Sequence, residues 1–237
     1  MIFEWTGRYT YLILDLLTLV STIALSFDKK VAFYKQWPYL FPGILAGMIV
    51  FIPWDIIFTL HGIWGFNPAY LTGIYLWHLP IEEWLFFIAV PYASVFIYAC
   101  LEAYFGDPMR RIQTLVWWFW LGLSFLCLVF GYKQWYPLIT FSLLMAALLL
   151  HRWIWGTQFM GRLGLMWLIH LIPFFAVNGV LTALPIVWYN NSENLNVRLG
   201  SVPFEDAFYS LLLLLIVFGT MFGLKQKKGQ LPLNSKK

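Results

Sequence analysis

Charge is the scarcest commodity in this chain. Charged residues make up 11% of its 237 positions, against about 25% in an average soluble domain. Hydrophobic residues reach 61% and aromatics 21%. A soluble fold of this length cannot hide that much apolar surface, so the composition points to a polytopic membrane protein. Cysteine is scarce as well. Cys100 and Cys127 both fall in apolar segments, and a disulfide framework is not expected. The four histidines, His61, His78, His151 and His170, are scattered, with no metal-ligand spacing. No GxGxxG or Walker-type loop occurs. A cleavable signal is not expected either: Lys29 and Lys30 follow the first apolar core instead of preceding it, and Asp15 interrupts it.

What remains is a series of apolar runs. Seven are long enough to cross a bilayer, at roughly 9–27, 38–60, 81–101, 114–131, 135–151, 163–182 and 203–224. The fourth and fifth are joined by a tight hairpin. Lys and Arg test the count. One side of the membrane receives Lys29, Lys30, Lys35, Arg110, Arg111, Arg152, Arg162, Lys225, Lys227, Lys228, Lys236 and Lys237. The other receives only Arg8, Lys133 and Arg198. The positive-inside rule makes the first side cytoplasmic, with the N-terminus outside and the C-terminus inside. The expected home is a bacterial cytoplasmic (inner) membrane.

The second and sixth spans share a fragment, "FIPWD" at 51–55 and "LIPFF" at 171–175. Each leads through a long, mostly uncharged connection to a Pro-apolar-acid-acid motif. Spans one to three therefore read as duplicated in spans five to seven, with the fourth as a bridging helix. This gives a first repeat at 1–105, a bridge at 106–134, a second repeat at 135–225 and a basic tail at 226–237. A repeat displaced by four spans is parallel, unlike the inverted repeats of many transporters. In this alignment Asp55 is matched by Phe175. Pro42, Pro53, Pro91 and Pro173 fall inside spans, where local bends are expected. Trp117, Trp118, Trp120, Trp135, Tyr136, Trp153 and Trp155 lie near span ends and read as interface anchors.

The two motifs are "LPIEEWLFF" at 79–87 and "VPFEDAFY" at 202–209. The plain reading is two good helix starts: proline suits the first turn, and acids there complement the helix dipole. A cap needs one carboxylate in water, however, and not four at the mouths of apolar helices. Buried carboxyls repel one another and resist charging, so each pair is expected to share one proton. That equips Glu82, Glu83, Glu205 and Asp206 for acid–base chemistry, with Glu82 and Glu205 the expected donors. Asp55 lies close enough in the second span to join Glu82 or Glu83. Asp15 is a further acid at membrane depth, and Asn178 is read first as a helix–helix hydrogen bonder. The aromatics near the mouths include Trp54, Trp64, Phe66, Trp77 and Trp84. Most are packing, but a subset suits stabilisation of a cation.

The fragments "PWDIIFTLHGIWGFNP", "LPIEEWLFFIAVP", "NGVLTALPIVWYN" and "VPFEDAFY" resemble the membrane-integral lycopene cyclases. In that family two three-span units occur as separate bacterial subunits or fused in one chain, and this chain looks like the fused form over nearly all its length. The resemblance implies cyclisation of the acyclic ends of lycopene, or a related linear carotenoid, to β-rings, giving γ-carotene and β-carotene. It implies no redox change, no flavin and no metal, membrane lipid as the surroundings and no nucleic-acid partner. The family's acids carry over onto Glu82, Glu83, Glu205, Asp206 and Asp55. Independently of the resemblance, Trp54, Trp64, Phe66, Trp77, Trp84 and Asn178 are the expected substrate contacts, from their places near the mouths. Phe175 departs from the pattern.

Other classes fit less well. A proton- or cation-coupled transporter would carry polar residues across several spans. A retinal photoreceptor lacks a mid-span lysine in the last helix. A polyprenyl transferase wants spaced Asp-rich motifs. A non-catalytic carotenoid-binding protein remains open if the acids are only caps.

Overall fold

A computed structural model describes residues 2–229. Lys236 and Lys237 of the basic tail lie outside the described residues. Seven helices run through it: α1 (Ile2–Leu25), α2 (Trp37–Leu60), α3 (Ile81–Phe105), α4 (Gln113–Gly131), α5 (Trp135–Trp155), α6 (Met160–Ala183) and α7 (Phe204–Lys227). All seven are long and apolar enough to cross a membrane. Such helices satisfy their own backbone groups, which lipid cannot do for them. The protein is an all-α polytopic membrane fold.

Pro42 and Pro53 lie within α2, Pro91 within α3 and Pro173 within α6, and no helix stops at them. Pro80 and Pro203 sit one residue earlier than expected. Each is the N-cap of its helix and the last residue of a short strand, not part of the first turn. Both cysteines are free.

Short strands fill the two long connections. β1 (Trp64–Phe66), β2 (Tyr75–Leu76) and β3 (Leu79–Pro80) precede α3; β4 (Val187–Tyr189), β5 (Arg198–Leu199) and β6 (Val202–Pro203) precede α7. β2–β3 and β5–β6 are local antiparallel hairpins. β1 and β4 pair with each other, joining one connection to the other, with Trp64 opposite Tyr189, Gly65 opposite Trp188 and Phe66 opposite Val187. Asn67 N–H to Ile186 O and Asn190 N–H to Ile63 O, both 2.8 Å, extend this ribbon.

The element order α2-β1-β2-β3-α3 thus recurs as α6-β4-β5-β6-α7 at an offset of 123 residues, as Glu82 and Glu205 show. Small contacts recur at the same spacing. Asn67 caps a single turn through Ala69 N–H and Asn190 through Ser192 N–H. Ile63 N–H closes onto Phe58 O and Ile186 N–H onto Leu181 O. This corrects the alignment made from "FIPWD" and "LIPFF". The helices are registered three residues further along, so the counterpart of Asp55 is Asn178 and not Phe175. The shared proline fragment misleads because the helices are anchored at their C-terminal turns, by these loop contacts.

Packing follows the same symmetry. α2 lies against α7 and α6 against α3; α1 lies against α3 and α5 against α7. α4 packs on α5 and α6. The cations expected on one side do gather at one end of the bundle. Arg162 binds Glu102 at 2.6 Å, Lys30 sits over Tyr104, Arg152 over Trp117, and Lys225 and Lys228 over Tyr39. Three of the expected interface anchors are interior. Trp117 donates to Leu148 O at 2.9 Å, Trp120 packs edge-on against Trp167, and Tyr136 is buried. Trp118, Trp135 and Trp153 are exposed, as anchors would be.

Candidate active site

The first turns of α3 and α7 each carry two acids, and a helix turns about 100° per residue. Adjacent carboxyls therefore point to different places. Glu82 turns back to its own connection and accepts Thr72 N–H at 2.7 Å; Glu205 accepts Leu195 N–H at 2.5 Å. Both are fully buried, and in each the second oxygen has no partner. These two residues pin the hairpins that lead into α3 and α7.

Glu83 and Asp206 turn the other way, into one shared cavity. Asp55 from α2 and Asn178 from α6 line the same cavity, with Tyr11, Trp64, Phe66, Tyr136, Tyr189 and Tyr209. Both repeats contribute, and the β1–β4 ribbon closes it over with Trp64, Phe66, Val187 and Tyr189.

Each carboxyl is held by named donors. Tyr11 OH gives to Glu83 Oε2 at 2.6 Å. Tyr136, Tyr11's counterpart at the start of the second repeat, gives to Asp206 Oδ1 at 2.6 Å, and Tyr189 gives to Asp206 Oδ2 at 2.8 Å. Trp64 Nε1–H gives to Asp55 Oδ1 at 2.5 Å, with Thr59 OH at 3.4 Å. Asp55 and Glu83 line the same cavity, and two buried carboxyls brought close together favour holding one proton between them. Burial, and then the Asp206 carboxyl beside it, raise the Tyr189 phenol well above its ordinary value. Tyr189 therefore stays a neutral O–H donor at any working pH.

Around these groups the walls are rings. Tyr209 stands edge-on to Trp64 at 5.9 Å and to Phe51 at 4.6 Å, and Trp64 stands edge-on to Tyr136 at 5.0 Å. Trp54 packs on Phe51, Phe58 and Tyr209 behind this wall and does not line the cavity. Trp77 and Trp84 are elsewhere. They stack edge-on at 5.7 Å, Trp84 donates to Leu76 O, and Trp77 is exposed. The sequence reading missed the tyrosines. The available signal was the pair Tyr11 and Tyr136 near the starts of the first and fifth spans, and Tyr209 one turn after Asp206.

The arrangement can give a proton from one carboxyl pair, take one at a separate carboxylate, and keep a cation between aromatic faces. Among the described residues no three His, Cys, Asp or Glu are grouped to hold a metal ion.

Comparison with known proteins decides the family. The family model described as lycopene cyclase matches residues 8–101 and 133–223. The chain belongs to the lycopene cyclase family. The stretch between the matched segments holds the whole of α4. A bifunctional lycopene cyclase/phytoene synthase of Aspergillus oryzae (strain ATCC 42149 / RIB 40) is 29% identical over 86 residues, covering 34% of this chain and 15% of that protein. No solved structure matches the chain significantly. The chain spans only 15% of the length of that relative.

Proposed function

We propose that this protein is a lycopene β-cyclase working by acid-initiated, redox-neutral cyclisation, an intramolecular lyase of the isomerase class. The observation that carries this reading is the convergence of Asp55, Glu83 and Asp206, from both repeats, in one aromatic cavity. The proton shared by Asp55 and Glu83 is delivered to the terminal double bond of the polyene. The neighbouring double bond closes on the resulting cation to form the ring. Asp206 removes the ring proton. Asp206 suits the base because two phenols donate to its two oxygens and leave it in the acceptor's place. The roles thus fall on the second acid of each pair, with Glu82 and Glu205 as positioning residues.

The rings of Trp64, Tyr136 and Tyr209 present negative faces to the intermediate, each worth about 0.5–2 kcal/mol in a dry site. The ribbon over the cavity keeps out water, which would capture the cation as an alcohol. Asn178 mirrors Asp55 without its acidity, so proton donation belongs to one side of the pseudo-twofold axis.

The proposed frame is a first repeat over 1–105, a bridge over 106–134 and a second repeat over 135–225. It sits in a cytoplasmic membrane with the cation-rich end inside and the acid cavity near the outer face. A proton-coupled transporter is not favoured, because the acids converge in one cavity and are not strung across the spans.

The test is purified protein supplied with lycopene in heavy water. Each new ring should gain one deuterium, at the carbon beside the dimethyl carbon, with no electron acceptor consumed. Ring formation without that deuterium overturns the acid-initiated mechanism.

A further inference from the structure

The acid cavity needs a way in for a substrate dissolved in lipid. α1 and α6 both pack against α3, and between them a groove runs along α3. Its floor is small, Ala89 and Ala93. At its upper end Phe86, Phe174 and Asn178 line both the groove and the acid cavity, so the two spaces adjoin.

The pseudo-twofold axis produces a second groove, between α2 and α5. It shares no lining residue with the acid cavity. Where the first groove has Val177, the second has Trp54, whose indole packs on Tyr209. Where α3 presents Ala89 and Ala93, α7 has Leu212 and Ile216. The symmetry is broken by side-chain volume, and of these two grooves the first is the one that adjoins the acid cavity.

Two polar atoms inside the open groove bear on its occupant. Asp15 and His170 are each more than nine-tenths buried, and Asp15 Oδ2 and His170 Nε2 have no hydrogen-bond partner. Ser94 spends its only hydroxyl proton on Val90 O at 2.7 Å, so its oxygen accepts His170 Nδ1–H at 2.9 Å. That leaves a bare lone pair on Nε2. A wall meant only for helix packing completes its polar groups internally. This one offers an oxygen and a nitrogen lone pair to whatever enters. A conjugated polyene has a positive C–H edge along its length, a weak donor that suits both.

We propose that the groove between α1, α3 and α6 is the binding channel for the unreacted chain of a linear conjugated polyene, and its lateral entrance to the acid cavity. The inference rests on the cyclase reading of that cavity. A polyene with two reactive ends then presents them one at a time, leaving and re-entering between rings.

The test measures binding, so that it stands apart from turnover. Glu83→Gln protein in lipid nanodiscs is titrated with lycopene, and the induced circular dichroism of the bound polyene is read. Adding Ala93→Phe, which fills the channel, should weaken binding at least about tenfold. Adding Leu143→Trp, which fills the second groove, should leave it unchanged. Equal effects of the two, or loss with Leu143→Trp alone, overturn the proposal. A second readout covers misfolding of Ala93→Phe. With Cys100 and Cys127 replaced by alanine, lycopene should slow modification of Ala93→Cys by an apolar maleimide and leave Leu143→Cys unprotected. Protection of Leu143→Cys, or of neither, overturns the channel. If wild-type protein binds lycopene in this pattern but forms no ring, the cyclase reading fails and the channel stands.

Discussion

Asp55 and Asn178 occupy equivalent places in the two repeats and line the same cavity. They are nearly isosteric, and only one is an acid. Asp55 accepts the Trp64 indole N–H, and Asp55→Asn keeps the shape and removes half of the proposed proton-sharing pair. Ring formation should fall by about 10²–10⁴, the usual cost of losing a general acid, with protein yield unchanged. Asn178→Asp should not rescue it, because the Trp64 indole that orients the acid is bonded at position 55. Retained activity in Asp55→Asn would remove this residue from the acid pair.

The acids of each first turn should separate by role. Glu83→Gln and Asp206→Asn should abolish most conversion of lycopene in folded protein. Glu82→Gln and Glu205→Gln should keep most of it, because an amide oxygen can still accept Thr72 or Leu195 N–H. Glu82→Ala leaves that N–H without its acceptor and should cost about 1–3 kcal/mol, read as a lower midpoint in thermal unfolding. Full activity in Glu83→Gln beside an inactive, stable Glu82→Gln would reverse the assignment.

The phenols on Asp206 make a third prediction. Tyr136→Phe and Tyr189→Phe each remove one donor from the base. Each should lower turnover more than substrate binding, and the double variant should lose less than the product of the single losses, since both act through one carboxylate. A pure rise in KM would mean that they only shape the pocket.

The ribbon over the cavity depends on Gly65. A Cβ there would run into the Trp188 indole, a conflict worth about 1–3 kcal/mol. Gly65→Ala should lower thermal stability, and adding Trp188→Ala should restore part of it. Additive losses in the double variant would show that the close approach of ring and backbone is not the cause.

Orientation is open to direct measurement. A reporter fused after Lys237 should read as cytoplasmic, and one inserted in 183–201 as external. The charge count predicts this, and a cytoplasmic reporter in 183–201 would reverse the acid cavity to the inner face.

Composition and the spacing of apolar runs were enough for the membrane class and the seven helices, because crossing lipid demands length and hydrophobicity and little else. The paired acids, Asp55 and the duplicated motif were legible for a similar reason: a carboxyl in an apolar helix is costly and stands out. Which carboxyl does what was not legible. Glu82 and Glu83 are neighbours in sequence, but a helix turns them apart by about 100°, and the phase is set by a hairpin and by Thr72 N–H. The pairing of Asp55 with Asn178 was hidden because "FIPWD" and "LIPFF" align more readily than the C-terminal turns that register the helices. The tyrosines were hidden because an aromatic at a span end is ordinary. Only the packing of α1 on α3 and α5 on α7 carries Tyr11 to Glu83 and Tyr136 to Asp206, contacts between residues some seventy positions apart that no local pattern in the chain encodes.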